Sequence, residues 1–306
     1  TVTGPVVAGN ASSSFLEILD AHGITLAGNL SAGGLVALGA EGGPLTQTAG
    51  AITTNAFEAI SVGGATLAQP NNQFSSVIFF ENLGGGDVVI KDTGPLMLGG
   101  TLSNPGGRFT VQSTGAMTLG TGMFDAGGGV EIGAPGITQT GGVSFSAQTP
   151  LVVLDTTGAT LPQAVNPASA ASLLSSFEPG GASGNITLTT FSAPNASVLL
   201  AANSGKMTGT IDARNLAVLG TGGSAQLFGN VGGIAGSTAA QVVGKSGRRE
   251  NDYRFNNCAI GSVTCTVLPS IVPAKPAPVS NVSILTQQQF TDPTINLLNV
   301  GAEDLY

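Results

Sequence analysis

GGDVVIKDTGPLML (residues 85–98), GGRFTVQSTGAMTL (106–119) and GGGVEIGAPGITQT (127–140) decide the fold. Each opens on a Gly pair, runs through an apolar–x–apolar triplet and reaches a Gly nine residues in, at Gly94, Gly115 and Gly136. The triplets are Val88 and Ile90, Phe109 and Val111, Val130 and Ile132, and the units start 21 residues apart. A short strand and a turn recurring at a fixed interval near 20 residues are the mark of a solenoid, in which each coil is too small to bury its own apolar residues and stacking makes the core.

The pattern extends in both directions. PLVVLDTTGATL (150–161) continues it slightly out of step, with Leu151 where Val130 would be. GLVALGAEGGPLTQTAGAITT (34–54) mirrors GGVEIGAPGITQTGGVSFS (128–146), and the pattern returns over 184–229. Each unit reads as two or three strands of three to five residues between Gly, Asn, Asp or Pro turns. Hairpin sandwiches call for longer strands and turns every 8–12 residues, so an all-β parallel β-helix is the better reading. About twelve coils stacked at the strand spacing would make a rod of roughly 55–60 Å.

Composition agrees. Of 306 residues only 8% are charged and 5% aromatic, Trp is absent and 47 are Gly; an average chain has about 25% charge and about 7% Gly. Mean hydropathy is +0.32, yet Gly, Thr, Ser and Asn interrupt every apolar run before the roughly 18 residues a spanning helix needs. Val, Ile, Leu and Phe recur too regularly for disorder. Net charge is −8, which argues against a nucleic-acid partner, because phosphates need a basic patch. Four of the nine Lys and Arg fall together at Lys245, Arg248, Arg249 and Arg254 and read as a boundary.

The expected organisation is a β-helix over 1–244, a basic cap with a disulfide loop over 245–267, a Pro-rich linker over 268–280 and a tail strand over 281–306. An excursion from the β-helix, PQAVNPASAASLLSSFEPGGASG (162–184), has Pro edges and an Ala/Ser/Leu interior, and a short helix is expected around 168–177. Cys258 and Cys265 are the only cysteines and His22 the only histidine. That is too few for a zinc site of four N or S ligands, so the close pair reads as a disulfide loop in an oxidising compartment, with two free thiols as the alternative. The chain opens on Thr1 without Met or a signal peptide and is expected to be a processed piece of a longer precursor.

The degenerate repeats ITQTGG, LTQTAG and GATLAQPNNQF, the segment GTIDARNLAVLGTGGSAQLFG and the ending YRFNNCAIGSVTC…NVGAEDLY resemble the filamentous-haemagglutinin-like exoproteins of Gram-negative bacteria, over most of the chain. The resemblance implies a right-handed parallel β-helix, secretion through a dedicated outer-membrane partner, and a role in adhesion, aggregation or biofilm at the cell surface. The family's N-terminal secretion domain is not recognisable, so the chain looks like a distal piece of such a protein. In some adhesins of this type a C-terminal disulfide loop tethers the protein at the secretion pore, a role the resemblance would pass to Cys258 and Cys265.

No catalytic, cofactor or metal residue is expected. Asp92-Thr-Gly and Asp155-Thr-Thr-Gly follow apolar runs as in aspartic proteases, whose two carboxylates share one proton. Both fall on the repeat lattice, where Ser113-Thr114-Gly115 fills the same slot, so they read as turn residues. Gly244-Lys245-Ser246 lacks the Gly of a phosphate loop, since position 239 is Ala. The acidic residues are scattered over different coil positions, although β-helices can be polysaccharide lyases or hydrolases, and a glycan-active enzyme is the alternative function. The main expectation is a non-enzymatic, secreted, rod-like adhesin or filament subunit. Its partners would be cell-surface glycans or proteins, or other copies of itself. An open β-helix end templates strand pairing. The apolar tail residues Val282, Ile284, Leu285, Phe290, Ile295, Leu297 and Leu298 are candidates to add a strand to a neighbour's end, the alternative being that the tail folds back and caps its own rod.

Overall fold

A computed structural model describes residues 1–220, 225–236, 240–242 and 265–266. Those residues form one continuous parallel sheet, wound into a β-solenoid of about 11 turns, with one short helix. At about 4.8 Å per turn the stack is about 50 Å long.

Three faces make each coil. The first is a short strand, as in Ile24–Leu26, Leu45–Gln47, Ala65–Leu67, Val88–Asp92, Phe109–Ser113 and Val130–Gly133. A turn follows, and then a longer strand such as Leu30–Ala40, Ile52–Ser61, Gln73–Asn82, Leu96–Asn104 or Met117–Ala126. Register shifts within these long strands, for example between Leu98 and Gly100, bend them into a second and a third face. The expected triplets are therefore real on the first face; in most coils the other two faces come from one bent strand, and in the coil of Val130 they are separate short strands, Ile137–Gln139 and Val143–Phe145.

The ladders read in the repeats are observed. Val88 pairs with Phe109 and Phe109 with Val130; Ile90 pairs with Val111 and Val111 with Ile132. All six are fully buried in one core that runs the length of the stack. The turn glycines stack too: a Cβ on Gly115 would fall inside contact distance of the Gly94 backbone in the coil before. Where turn residues are not Gly, buried amides and hydroxyls tie coil to coil. Gln47 and Asn72 exchange side-chain hydrogen bonds at 2.8 and 2.9 Å, and at another corner Asn82 Nδ2 donates to Asn104 Oδ1 at 2.7 Å. Such pairs satisfy groups whose burial would otherwise cost stability.

The excursion leaves the stack after the strand Leu151–Asp155 and rejoins it at Ile186–Asn203. Its helix spans Ala170–Ser176 and opens on a capping box, with Ser172 N donating to Ser169 Oγ at 3.1 Å and Ser169 N to Ser172 Oγ at 2.8 Å. The flap lies over the outside of the first face. Leu161, Leu173 and Phe177 pack there against Val153, Leu199 and Ala217, forming a second core. This explains why LVVLD is buried along its whole length, since a strand covered on both sides reads as a continuous apolar run.

Two details of the repeat reading are corrected. Val152, not Leu151, takes the place of Val130; Leu151 turns outward beneath the flap. The look-alike segments LTQT and ITQT lie on different faces, Leu45–Gln47 on the first and Ile137–Gln139 on the second. An apolar–x–apolar step before a turn suits either face, so local sequence does not choose between them. Strands continue to Ala240–Val242. Most of the expected cap, including Cys258, lies outside the described residues, so the Cys258–Cys265 loop is no part of the fold they form; Cys265–Thr266 forms a short strand paired with Ala240 and Gln241. The linker 268–280 and the tail 281–306 also lie outside them. No helix among the described residues is long and apolar enough to cross a membrane.

Candidate functional site

The bend between the second and third faces forms a concave groove near the start of the chain. In the second coil the bend is made by Gly33 and Gly34. A Cβ on Gly33 would collide with the backbone carbonyl of Asn10 in the coil before, so only Gly lets the chain turn this closely. In the next two coils the same bend carries Asn55 and Ser75. Asn55 Nδ2 donates to the Gly33 carbonyl, Ser75 Oγ reaches Asn55 Oδ1 at 3.5 Å, and Ser76 Oγ donates to the Asn55 carbonyl at 2.9 Å. Thr54 Oγ1 adds a bond to the Gly34 carbonyl at 3.1 Å. These bonds fix the inner edge of the groove.

Beside the bend runs a column of outward side chains in register, Ser31, Thr53 and Gln73. With Asn10, Asn55 and Ser75 they line an open groove of about 550 Å³ whose polar wall crosses four coils and which Gly94 and Pro95 of the fifth close off. Every polar group named there is an uncharged donor or acceptor. The walls repeat at about 4.8 Å along the stack. Such a surface offers hydrogen bonds to hydroxyls at regular intervals and no strong field for an ion.

The carboxylates of the two Asp-Thr motifs are not brought together. Asp92 and Asp155 sit three coils apart, about 14 Å along the stack, too far to share a proton. Asp92 ties its turn to the coils on either side, and Asp155 fastens its own turn. Asp92 Oδ1 accepts from Phe74 N at 2.7 Å, and Oδ2 accepts from Gly94 N at 2.8 Å and Ser113 Oγ at 3.2 Å. Burial raises its pKa despite those bonds. Asp155 accepts from Thr157 N, Thr157 Oγ1 and Ala159 N at 2.9, 2.6 and 3.0 Å.

Under the flap, Arg108 Nη1 lies 3.1 Å from Glu131 Oε1, and the Glu131 side chain is fully buried. Glu131 Oε2 accepts from Gln163 N at 2.9 Å, and Arg108 Nη1 donates to the Gln163 carbonyl at 2.8 Å. Desolvation raises the Glu131 pKa, opposed by the Gln163 amide and the Arg108 charge. This cluster clamps the flap to the rod.

This groove is not legible in the sequence. Its residues are common Ser, Thr, Asn and Gln, and their alignment depends on a coil register that no single repeat reveals. The assembly residues Val282, Ile284, Leu285, Phe290, Ile295, Leu297 and Leu298 lie outside the described residues. No protein-family model matches the chain, and no curated protein or solved structure matches it.

Proposed function

We propose that the chain is a rod-like adhesive and structural protein of the bacterial cell surface, secreted through an outer-membrane partner in the manner of the filamentous-haemagglutinin-like exoproteins. The observation that carries the reading is the uncharged polar groove across four stacked coils. A groove with a repeat of about 4.8 Å suits an extended, hydroxyl-rich polymer, which makes a surface glycan the favoured partner. Many weak, regularly spaced contacts sum to useful avidity. The solenoid supplies stiffness, and the described residues of the resembling segments GATLAQPNNQF and GTIDARNLAVLGTGGSAQLFG fall on coils of the stack. A right-handed winding fits the general rule for parallel strand connections. Against the glycan-active enzyme, both Asp92 oxygens and both Asp155 oxygens are occupied by turn hydrogen bonds.

A screen of immobilised neutral polysaccharides tests the reading. The wild-type chain should be retained by at least one of them, and the double variant Thr53→Glu/Gln73→Glu, altered only at exposed positions, should lose that retention. Equal retention of both proteins would overturn it.

A further inference from the structure

The outward side of the third face carries a second surface, different in chemistry from the groove. In the first four coils its columns run Glu17, Ala37, Glu58, Phe79 and Leu19, Gly39, Ile60, Glu81. Phe15 and Leu19 are 51% and 60% exposed. Leu19 lies over Gly39, and beside it a shallow groove of about 150 Å³ includes Glu17, Glu41, Glu58, Ile60 and Phe79 in its walls. None of Glu17, Glu41, Glu58 and Glu81 forms an ion pair among the described residues. An exposed apolar strip bordered by four carboxylates of one sign calls for a partner with apolar and basic side chains.

The chain carries such a segment. GKSGRRENDYRF (244–255) holds Lys245, Arg248, Arg249 and Arg254 with Tyr253 and Phe255, against only Glu250 and Asp252. It follows the strand Ala240–Val242 and precedes Cys265–Thr266, which pairs with that strand. From there to the nearest of the four coils is seven turns, about 34 Å. Arg248 and Arg249 are six and seven residues past Val242, a reach of about 20–23 Å when fully extended. They fall short of the acidic face of their own chain, and Arg254, twelve residues past Val242, would reach it only with the segment drawn out straight, about 40 Å, and straight again on the return to Cys265 beside Ala240.

We infer that the apolar, acidic face around Glu17, Leu19, Glu58 and Phe79 docks the basic segment 244–255 of a second copy. The acidic face belongs to the first four coils, and the basic segment is tethered to the strand Ala240–Val242, seven turns away. Their contact is head-to-tail and propagates into an open filament unless the rotation closes. The inference goes beyond the proposed function and uses only the stacked rod; the groove plays no part.

Sedimentation velocity of the full chain tests it, at about 50 mM and about 500 mM salt, where screening lengths are about 14 and about 4 Å. Oligomers are expected at low salt and their dissociation at high salt. Glu17→Lys/Glu58→Lys and Arg248→Glu/Arg249→Glu should each be monomeric while keeping the wild-type melting temperature. Mixed together, they should associate again, because the reversed face of one then meets the reversed segment of the other. A wild-type chain that is monomeric at both salts overturns the inference, as does association that survives either reversal or a mixture that stays monomeric. The groove variant Thr53→Glu/Gln73→Glu should associate normally, which separates failure here from failure of glycan binding.

Discussion

Arg108 Nη1 stands 3.1 Å from Glu131 Oε1 across two successive coils, with the flap closed over both. The ion pair does not offset the burial of the carboxylate, since desolvation dominates and raises the Glu131 pKa above its ordinary 4.5. Asp92, also buried, is raised above 3.8 for the same first cause.

The sign of the pH dependence follows. A carboxyl whose pKa is higher folded than unfolded binds its proton more tightly in the folded state, so stability rises as the pH falls through the folded value and levels off below the unfolded one. The melting temperature should climb from pH 7 toward about pH 4. Asp20, whose pKa is lowered chiefly by the His22 and Gly23 amides, works the other way and loses its contribution only below that range. Glu131→Gln should flatten much of the climb. A melting temperature that falls between pH 7 and pH 5 would contradict this assignment.

The buried amide ladder should matter more than its polarity suggests. Asn82 Oδ1 accepts from Gly64 N at 3.0 Å and Ser61 Oγ at 3.1 Å, while Nδ2 donates to Asn104. Asn82→Ala strands several buried groups at once and should cost about 1–3 kcal/mol for each left unsatisfied. Exposed Asn71 provides the control, and Asn71→Ala should stay within about 0.5 kcal/mol of wild type. Chemical denaturation of the three proteins decides.

Stacking of the coils predicts two further losses. Phe109 is fully buried and meets Phe80 edge-on at 5.5 Å between ring centres, so Phe109→Ala should destabilise by about 3–5 kcal/mol. Gly115→Val places a branched side chain against the Gly94 backbone. It should yield insoluble protein, whereas Gly181→Val, where a Cβ meets nothing, should express normally.

The flap should open without the rod. Leu173 is fully buried among Leu161, Phe177 and the outward residues of the first face. Leu173→Asp should make the segment 156–185 sensitive to limited proteolysis while the far-ultraviolet circular dichroism keeps its strand signal. Loss of both together would mean that flap and stack fold as one unit.

Much of this was legible in the sequence because a solenoid repeats its instructions. The 21-residue spacing of Val88, Phe109 and Val130 gave the coil, and the Pro-edged Ala/Ser/Leu stretch gave the flap and a helix within a residue or two. Face assignment was not legible: LTQT and ITQT look alike, yet which face each joins depends on how many residues the preceding turn consumed. The step from Val130 to Val152 was missed by one residue because Leu151, Val152 and Val153 are equally apolar, and only the flap above them explains why the outward ones are. The groove was hidden for a related reason. Ser31, Thr53 and Gln73 become neighbours only once three turns of unequal length are laid in register. The clamp at Glu131 was equally hidden, since Gln163 lies 32 residues away in the sequence.

The central claim is that a stack of coils presents one extended polar groove to a hydroxyl-rich polymer. Titration calorimetry with soluble oligosaccharides of increasing length, taken from whichever polysaccharide retains the wild-type chain, tests it most directly. Affinity should rise with each added sugar until the ligand spans the four coils, about 14 Å between the outer two, and then level off, and Thr53→Glu/Gln73→Glu should abolish the rise. A single sugar that binds as tightly as the longest oligomer, or a length dependence unchanged in the variant, would contradict the account.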